Sequence, residues 1–489
     1  MDMSTADDAA TAVTAVAMRR TMPRRRQRQR QQLLLLQALL VLAVAACGRV
    51  VAQNGDGDWQ LQGLSSKFEL LWSGHALFGP GLGFGSAVPN VPESKYLAMF
   101  DDWAEHFNTS YENEASRARA YANFKQNMRR IIEINRDFSI PFWASGNQFL
   151  GESYAEFSSK VLTPQLSEYD EDTVNASVFQ AHVSDSGAAA GRRLKQSLPS
   201  QVNWRTGGKV TPVRNQGSCA SCWALAAATA LESAYLLNVT GTSAQSLRLS
   251  EQQMIDCINR FYGPYNSAGC MGGWPHEAFD YASGNNVSVN ARYPYTGVAA
   301  QCYSQDAVRP GSVVQAAGGA MQVRPSRNEA ALMEAVNIAP VVVGFTVDEP
   351  FQYYAGGVYT PVTCSKSLNH ALVIIGYETD TQDGDYWILQ NSWGTTWGEN
   401  GLIRIKMDGT ANGPCGMYLY SFLPTQGFVV QLESSARVPP RPPPSSSSLP
   451  LTGSPPPRPA PPPPRPHPPP PSPMPPPPSP QPPPPSPMP

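Results

Sequence analysis

The middle of this chain predicts an α+β globular unit, and three observations carry that expectation. Composition shifts twice along the 489 residues, leaving a cysteine-bearing, motif-rich middle between a polar leader and a proline-dominated end. Within that middle, Trp223, Ala227, Ala230, Ala234 and Leu237 recur at spacings of three and four. This is the pattern of a helix that begins near Cys222 and sets that thiol at its N-terminus. Further on, Ile403, Ile405 and Met407 alternate with Arg404, Lys406 and Asp408, the period of a half-buried strand. Helix first and strands later is the segregated arrangement of an α+β domain.

The same shifts divide the chain into four segments. Residues 1–52 read as a basic leader and signal peptide: arginines from Arg19 to Arg30 precede an apolar block from Leu33 to Ala46, with cleavage expected after Ala46 or Ala52. The block is about 14 residues long, short of the roughly 20 that a spanning helix needs, and Arg49 interrupts it, so a removed signal is preferred over a type II anchor. Residues 53–197 form a second, cysteine-free leader. In it Phe100, Trp103, Phe107, Phe124 and Ile131, with Asn127 and Asn135, mark two amphipathic helices between Tyr96 and Asn135. A loose linker from about Leu162 ends in Arg192-Arg193-Leu194-Lys195, an exposed junction where a protease would cut. Residues 198–434 hold the globular core. Residues 435–489 are a proline-rich disordered tail, expected as extended polyproline II because it cannot bury a core.

A formal net charge of −2 leaves no footprint for nucleic acid, since the clustered arginines lie at the N-terminus. Cysteines of a secreted chain tend to pair. Of the eight here, Cys47 lies in or beside the signal, so the remaining seven predict three bridges and one withheld thiol. That thiol is either a buried unpaired cysteine or one kept for chemistry. Sequons at Asn108, Asn175, Asn238 and Asn286 fit a glycosylated secreted chain. Together with the tail they also fit a non-enzymatic wall or matrix glycoprotein.

Chemistry concentrates around Gln216-Gly217-Ser218-Cys219-Ala220-Ser221-Cys222-Trp223. Its Cys-x-x-Cys suits neither a zinc site, which wants a second close ligand pair, nor a redox pair in a βαβ setting. A nucleophilic thiolate needs a depressed pKa, which a helix N-terminus and a neighbouring imidazolium both supply. Outside the leader and tail the histidines are His276 and His370. His276 follows Gly272-Gly273-Trp274-Pro275 and is expected in a surface loop, structural or solvent-facing. His370 opens the apolar run Ala371 to Tyr377, and a turn at Asp383-Gly384 leads into a second run from Asp385 to Asn391. A hairpin registered so that His370 faces Asn391 would let the amide oxygen orient one ring nitrogen and leave the other for Cys222. Trp393 then shields that bond, and the Gln216 side chain joins the Cys222 backbone N–H in holding an oxyanion.

These residues resemble the papain and cathepsin L-like cysteine proteases, from about Leu198 to Pro424 and more weakly into the leader. The matching motifs are Leu198-Pro199 with Asn203-Trp204-Arg205, the Gln216 to Trp223 block, Cys270-Met271-Gly272-Gly273, Asn369-His370-Ala371 and Asn391-Ser392-Trp393-Gly394. His370 falls within the roughly 130 to 150 residues after the nucleophile typical of such enzymes. The resemblance implies a papain-like two-domain fold, a helical left domain and a β-sheet right domain with the active-site cleft between them, preceded by a helical propeptide. It implies a catalytic set of Cys222, His370 and Asn391, with Gln216 and Cys222 at the oxyanion. Bridges are implied between Cys219 and Cys270, Cys257 and Cys302, and Cys364 and Cys415. Substrate binding is implied for Gly272, Gly273, Trp274, Pro275, Gly344, Leu368 and Asn369. Tyr420 would form the floor of the pocket for the substrate residue preceding the one at the cut. No carboxylate lines that pocket, so an apolar side chain is expected there and arginine is disfavoured.

The resemblance further implies a cysteine endopeptidase of protein and peptide substrates, without metal or organic cofactor, made as a zymogen whose propeptide is its own inhibitor. Its place would be the secretory pathway, with a vacuolar, lysosomal or extracellular destination, and the tail would act as an address or tether to wall or matrix. Four positions depart from the family pattern. Ala220 stands where glycine is usual, Ser116 and Ala120 where the leader helix usually has Glu and Arg, and Gly151 where Asp is usual, with Glu152 adjacent.

Overall fold

The computed structural model describes residues 91–432 except 138, 164–173, 175, 182–196, 262, 303–311, 317–318, 362–363, 366, 380 and 426–427. The signal segment, the Arg192 to Lys195 run and the proline-rich tail lie outside the described residues.

The leader begins with the two predicted helices, α1 (Glu93–His106) and α2 (Glu114–Arg136). Ser116 explains its own departure from the family pattern: it closes a capping box in which Asn113 Oδ1 accepts from the Ser116 N–H at 2.9 Å and Ser116 Oγ accepts from the Asn113 N–H at 3.2 Å. Phe100, Trp103 and Phe124 pack together, with ring centroids 5.5 Å apart for Phe100–Phe124 and 5.8 Å for Trp103–Phe124. Asn127 and Asn135 lie two turns apart on α2 and hold the returning chain by its backbone. Asn127 Nδ2 donates to the carbonyls of Leu150 and Glu152, each at 2.8 Å. Asn135 exchanges two 2.8 Å bonds with Ala144. The returning chain forms β1 (Phe142–Ala144) and then α3 (Tyr154–Val161).

In the core, α4 (Cys222–Asn238) is buried from Cys222 to Leu236, which suits its apolar, alanine-rich sequence. Helices α5 (Glu251–Cys257) and α6 (Pro275–Gly284) pack against it. The C-terminal half supplies β7 (Val341–Phe345), β8 (Tyr354–Tyr359), β9 (His370–Glu378), β10 (Tyr386–Gln390), β11 (Leu402–Lys406) and β12 (Ser421–Pro424). With β2 (Ser177–Gln180) and β6 (Ala320–Arg324) they make a mostly antiparallel sheet in the order β1-β8-β11-β10-β9-β7-β12-β6-β2, and β3 (Gln201–Asn203) pairs beside β9. Strand β9 is buried on both faces, so its sequence runs continuously apolar. Ala371, Val373 and Ile375 face the core that contains α4, while Leu372, Ile374 and Tyr377 face the core shared with the leader. The leader therefore completes a hydrophobic core of the β half.

Three expectations change. His276 is not in a surface loop: Pro275 occupies the first turn of α6, and His276 is buried behind it. The linker after Leu162 is not uniformly loose, because Ser177–Gln180 pairs in parallel with β6. The hairpin register also differs: Tyr386 pairs with Glu378 and Gln390 with Val373, with an irregularity between Ile388 and Leu389. His370 instead pairs with Phe345 on β7.

The small residues at Ala120 and Gly151 follow from Trp103. A Cβ on Gly151 would lie 2.6 Å from Trp103 Cη2 and 3.6 Å from Ala120 Cβ. Gly151→Ala should therefore cost about 1–3 kcal/mol through overpacking, seen as a lower thermal midpoint of the Cys222→Ala proform; an unchanged midpoint would mean that Trp103 has room to move.

Candidate active site

The first turn of α4 is pinned by its neighbours. The Cys219–Cys270 bridge, with a Cα–Cα distance of 4.7 Å, and the Ala220 N–H to Cys270 carbonyl bond of 3.1 Å tie it to the Gly269–Trp274 loop. Gly273 must lack a side chain, since a Cβ there would lie 2.6 Å from both Trp223 Cε2 and Ser267 Oγ. The other bridges join Cys257 with Cys302 and Cys364 with Cys415, the pairs the resemblance implies, and among the described residues Cys222 is the free thiol.

Gln216 is held in one amide orientation. Its Oε1 accepts from Ser392 Oγ at 2.7 Å, so Nε2 is the donor, at 2.8 Å to the Cys219 carbonyl and 2.8 Å to the Val161 carbonyl of the leader. Its own carbonyl accepts from Tyr295 Oη at 2.7 Å, and Tyr295 Oη also lies 2.9 Å from Ser221 Oγ. The motif reading did not single out Ser392, Tyr295 or Val161 for these roles. Ser392 lay within a quoted motif, but nothing in a linear sequence places the other two beside Gln216.

His370 is fully buried at the start of β9. Its Nε2 lies 2.8 Å from Asn391 Oδ1, and its Nδ1 is buried without a hydrogen-bond partner. The contact forms although the two residues are not opposed in a ladder. Asn391 stands just past β10, its N–H donating to the Gly401 carbonyl at 3.0 Å, and its side chain reaches back to the ring. Since Nε2 donates to the amide oxygen, Nδ1 is the acceptor in a neutral ring. The Trp393 ring lies over the histidine, with centroids 4.8 Å apart and planes 37° apart. The Cys222 thiol lies near the start of the same strand, where the Ala371 backbone N–H favours its ionised form.

Burial sets the charge state of this closed site. It pushes the Cys222 thiol up to about 12, against the opposing pull of backbone N–H groups of Ala371, Trp223 and Cys222. It pushes His370 down to about 4, with Asn391 opposing weakly. Both shifts favour neutral partners, the reverse of the ion pair expected for a working nucleophile. The leader lies against residues that neighbour this centre. Besides the Val161 carbonyl on Gln216, the Thr163 N–H donates to the Asn369 carbonyl at 2.7 Å, and Phe157 meets Trp393 edge-on at 5.1 Å. Gln148 Nε2 donates to the Trp393 carbonyl at 2.6 Å, Asn147 Nδ2 to the Gln352 carbonyl at 2.7 Å, and β1 pairs antiparallel with β8.

Beside this centre, Trp274, Leu368, Gly344 and Tyr420 come together. The Trp274 and Tyr420 rings are 6.2 Å apart, and a Cβ on Gly344 would lie 2.6 Å from Leu368 Cδ1 and 3.1 Å from Tyr420 Cβ. Pro275 begins α6 next to Trp274, and the Asn369 side chain accepts from the Val347 N–H at 2.8 Å. Gly272 has φ 112°, a left-handed conformation that favours glycine. Ala220, the fourth departure, is buried in the loop between the bridged Cys219 and Ser221.

Comparison with known proteins agrees with this geometry. Residues 198–425 match the papain family cysteine protease model, and residues 100–157 match the cathepsin propeptide inhibitor domain. Papain from Carica papaya is 33% identical over 68% of this chain and 88% of its own length. The senescence-specific cysteine protease SAG12 of Arabidopsis thaliana is 34% identical over 66% of this chain and 88% of its own. Among solved structures, a recombinant stem bromelain precursor aligns with a TM-score of 0.57 at 31% identity, covering 68% of this chain and 99% of that one. The proform of the ragweed pollen allergen Amb a 11 aligns with a TM-score of 0.58 at 30% identity, covering 69% and 96%. With the peptidase and propeptide inhibitor models and the α+β fold all matched, the chain belongs to the papain family of cysteine proteases, as a cysteine endopeptidase made in zymogen form.

Proposed function

We propose that Cys222 is the nucleophile of this endopeptidase, His370 its acid and base, and Asn391 the group that orients the histidine. The observation that carries this reading is the His370 ring, bonded at Nε2 to Asn391 with Nδ1 left without a partner, at the strand end that contacts the one free thiol among the described residues. Once the cleft is open, the proton of Cys222 passes to Nδ1, and the sulfur attacks the scissile carbonyl carbon. The oxygen takes the negative charge beside Gln216 Nε2 and the Cys222 backbone N–H. The imidazolium gives its proton to the leaving nitrogen as the C–N bond breaks, leaving a thioester. Water, deprotonated by the neutral imidazole, then attacks the thioester and frees the acid and the thiol. Trp393 keeps solvent from the His370–Asn391 bond. Gly272, Gly273 and Asn369 are assigned to the substrate backbone. Trp274, Pro275, Gly344, Leu368 and Tyr420 are assigned to an apolar pocket for the residue preceding the one at the cut. Cys222→Ala should abolish both peptide hydrolysis and labelling by a thiol-alkylating inhibitor; retained hydrolysis would reject the assignment.

Segment boundaries follow the same reading: 1–52 signal, 53–197 propeptide and linker, 198–434 peptidase and 435–489 tail. The route is secretory, to a vacuole, lysosome or the extracellular space, and the tail tethers the enzyme to wall or matrix. Support comes from the sequence composition. Deleting the residues after Val438 should change retention on wall material and leave turnover of a soluble peptide unchanged; lost turnover would assign the tail to the catalytic unit instead.

Acid is the trigger for activation. His276 and His370 are both pushed down to about 4 by burial, against about 6.5 when free. Because the folded values are depressed, these two sites bind fewer protons in the folded proform than in the unfolded chain. Their contribution to stability is level above about pH 6.5 and falls as pH drops from there toward 4. Each histidine accounts for at most about 3 kcal/mol of that loss. Opening the cleft rehydrates His370 and removes the burial that holds its ring neutral. The Cys222→Ala proform should therefore lose thermal stability across this window, with a shallower decline once His370→Ala is added; equal declines would assign the acid response to other groups.

A further inference from the structure

We propose that His276 is a positioning residue for substrate selection: its ring and its backbone N–H together clamp the Tyr420 hydroxyl and fix the floor of the specificity pocket. This rests on the reading that Tyr420 lines that pocket. His276 is the second residue of α6, directly after the pocket residues Trp274 and Pro275, and Tyr420 lies 144 positions away in sequence. The His276 backbone N–H donates to Tyr420 Oη at 3.0 Å, and His276 Nδ1 lies 3.0 Å from the same oxygen. A hydroxyl that accepts the backbone hydrogen has its own proton left to give, and Nδ1 is the recipient, so the ring carries its proton on Nε2. Burial holds this imidazole in the neutral form that the bond requires.

The clamp joins wall to floor. The His276 ring stacks on Phe422 at 5.1 Å and 27°, and Phe422 in turn lies 4.7 Å from the Tyr420 ring. Turning the phenol outward would strand a buried backbone N–H and a buried ring nitrogen, each costly to leave unpaired. Gly344 packs directly beside Leu368 and Tyr420, where a Cβ would lie 2.6 Å from Leu368 Cδ1 and 3.1 Å from Tyr420 Cβ. A floor fixed in this way sets a size limit, which predicts a preference for leucine over the longer phenylalanine and over arginine. Loosening the floor would relax the size limit without touching the reacting atoms.

The test uses the full chain, expressed as proform and activated, with peptides that differ only at the residue preceding the one at the cut. His276→Leu removes the acceptor, Tyr420→Phe removes only the hydroxyl, and His276→Asn restores an acceptor oxygen near the position of Nδ1. The expected result is that His276→Leu and Tyr420→Phe each raise kcat/KM for phenylalanine relative to leucine by about tenfold, within the range a single apolar contact discriminates. The change should fall mainly on KM, with selectivity at the adjacent residue unchanged and His276→Asn close to wild type. Should His276→Leu fail to fold, Tyr420→Phe decides alone. Wild-type selectivity in Tyr420→Phe or in a folded His276→Leu overturns the clamp. Wild-type selectivity in Tyr420→Ala would overturn the pocket reading itself, and an altered Tyr420→Ala beside an unaltered Tyr420→Phe rejects the clamp alone.

Discussion

The packing of the α4 N-terminus against the start of β9 is the constraint on which the rest of the molecule depends. It brings a thiol from the helical half against the backbone of the strand that carries the imidazole. Arg214 braces this junction. Its guanidinium pairs with Glu232 on α4 and, at 2.8 Å, with Glu251 of α5, while its carbonyl accepts from the Gly394 N–H at 2.8 Å. One buried cation thus holds two helices and the loop that carries Trp393. Such a buried pair adds little net stability over apolar packing, but losing one partner leaves an uncompensated charge at a cost of about 3–5 kcal/mol. The network therefore works as a positional lock.

The leader exploits the same junction. It covers hydrophobic surface of the β half with Phe149 and Phe157, which dock on Trp393 beside His370, and extends the sheet with β1. Burial of Cys222 and His370 disfavours the charged form of each. Trp393, which lies over the His370 ring, is also the surface on which the leader's Phe149 and Phe157 dock.

What could be read from the sequence divides along local and non-local lines. Helix α4, strand β9 and the two leader helices were legible because their apolar spacing reports their own burial. The residues around Cys222, His370 and Asn391 were legible as motifs. The hairpin register was not, because the irregularity between Ile388 and Leu389 shifts the pairing, and β7 rather than β10 lies opposite His370. His276 was misplaced because Pro275 reads equally as a turn or as the first residue of a helix. Strand β2 carried no signal, since its side chains are mostly exposed and only its backbone pairs with β6. The glycine at Gly151 makes sense only once Trp103 and Ala120 are both seen packed beside it.

The Val161 carbonyl shows how an inhibitor can use catalytic machinery without being consumed. It takes the Gln216 N–H proposed to serve a developing oxyanion, yet it does so as an ordinary carbonyl at the last residue of α3. A donor aimed at transition-state charge gains little from a ground-state carbonyl. The leader's hold therefore comes mainly from its apolar and backbone contacts, with Gln216 occupied rather than exploited. Attack on the leader also requires an ionised sulfur, and burial of Cys222 opposes that ionisation. Resistance to cleavage therefore depends on the site staying dry, and any change that lets water or protons reach His370 weakens it.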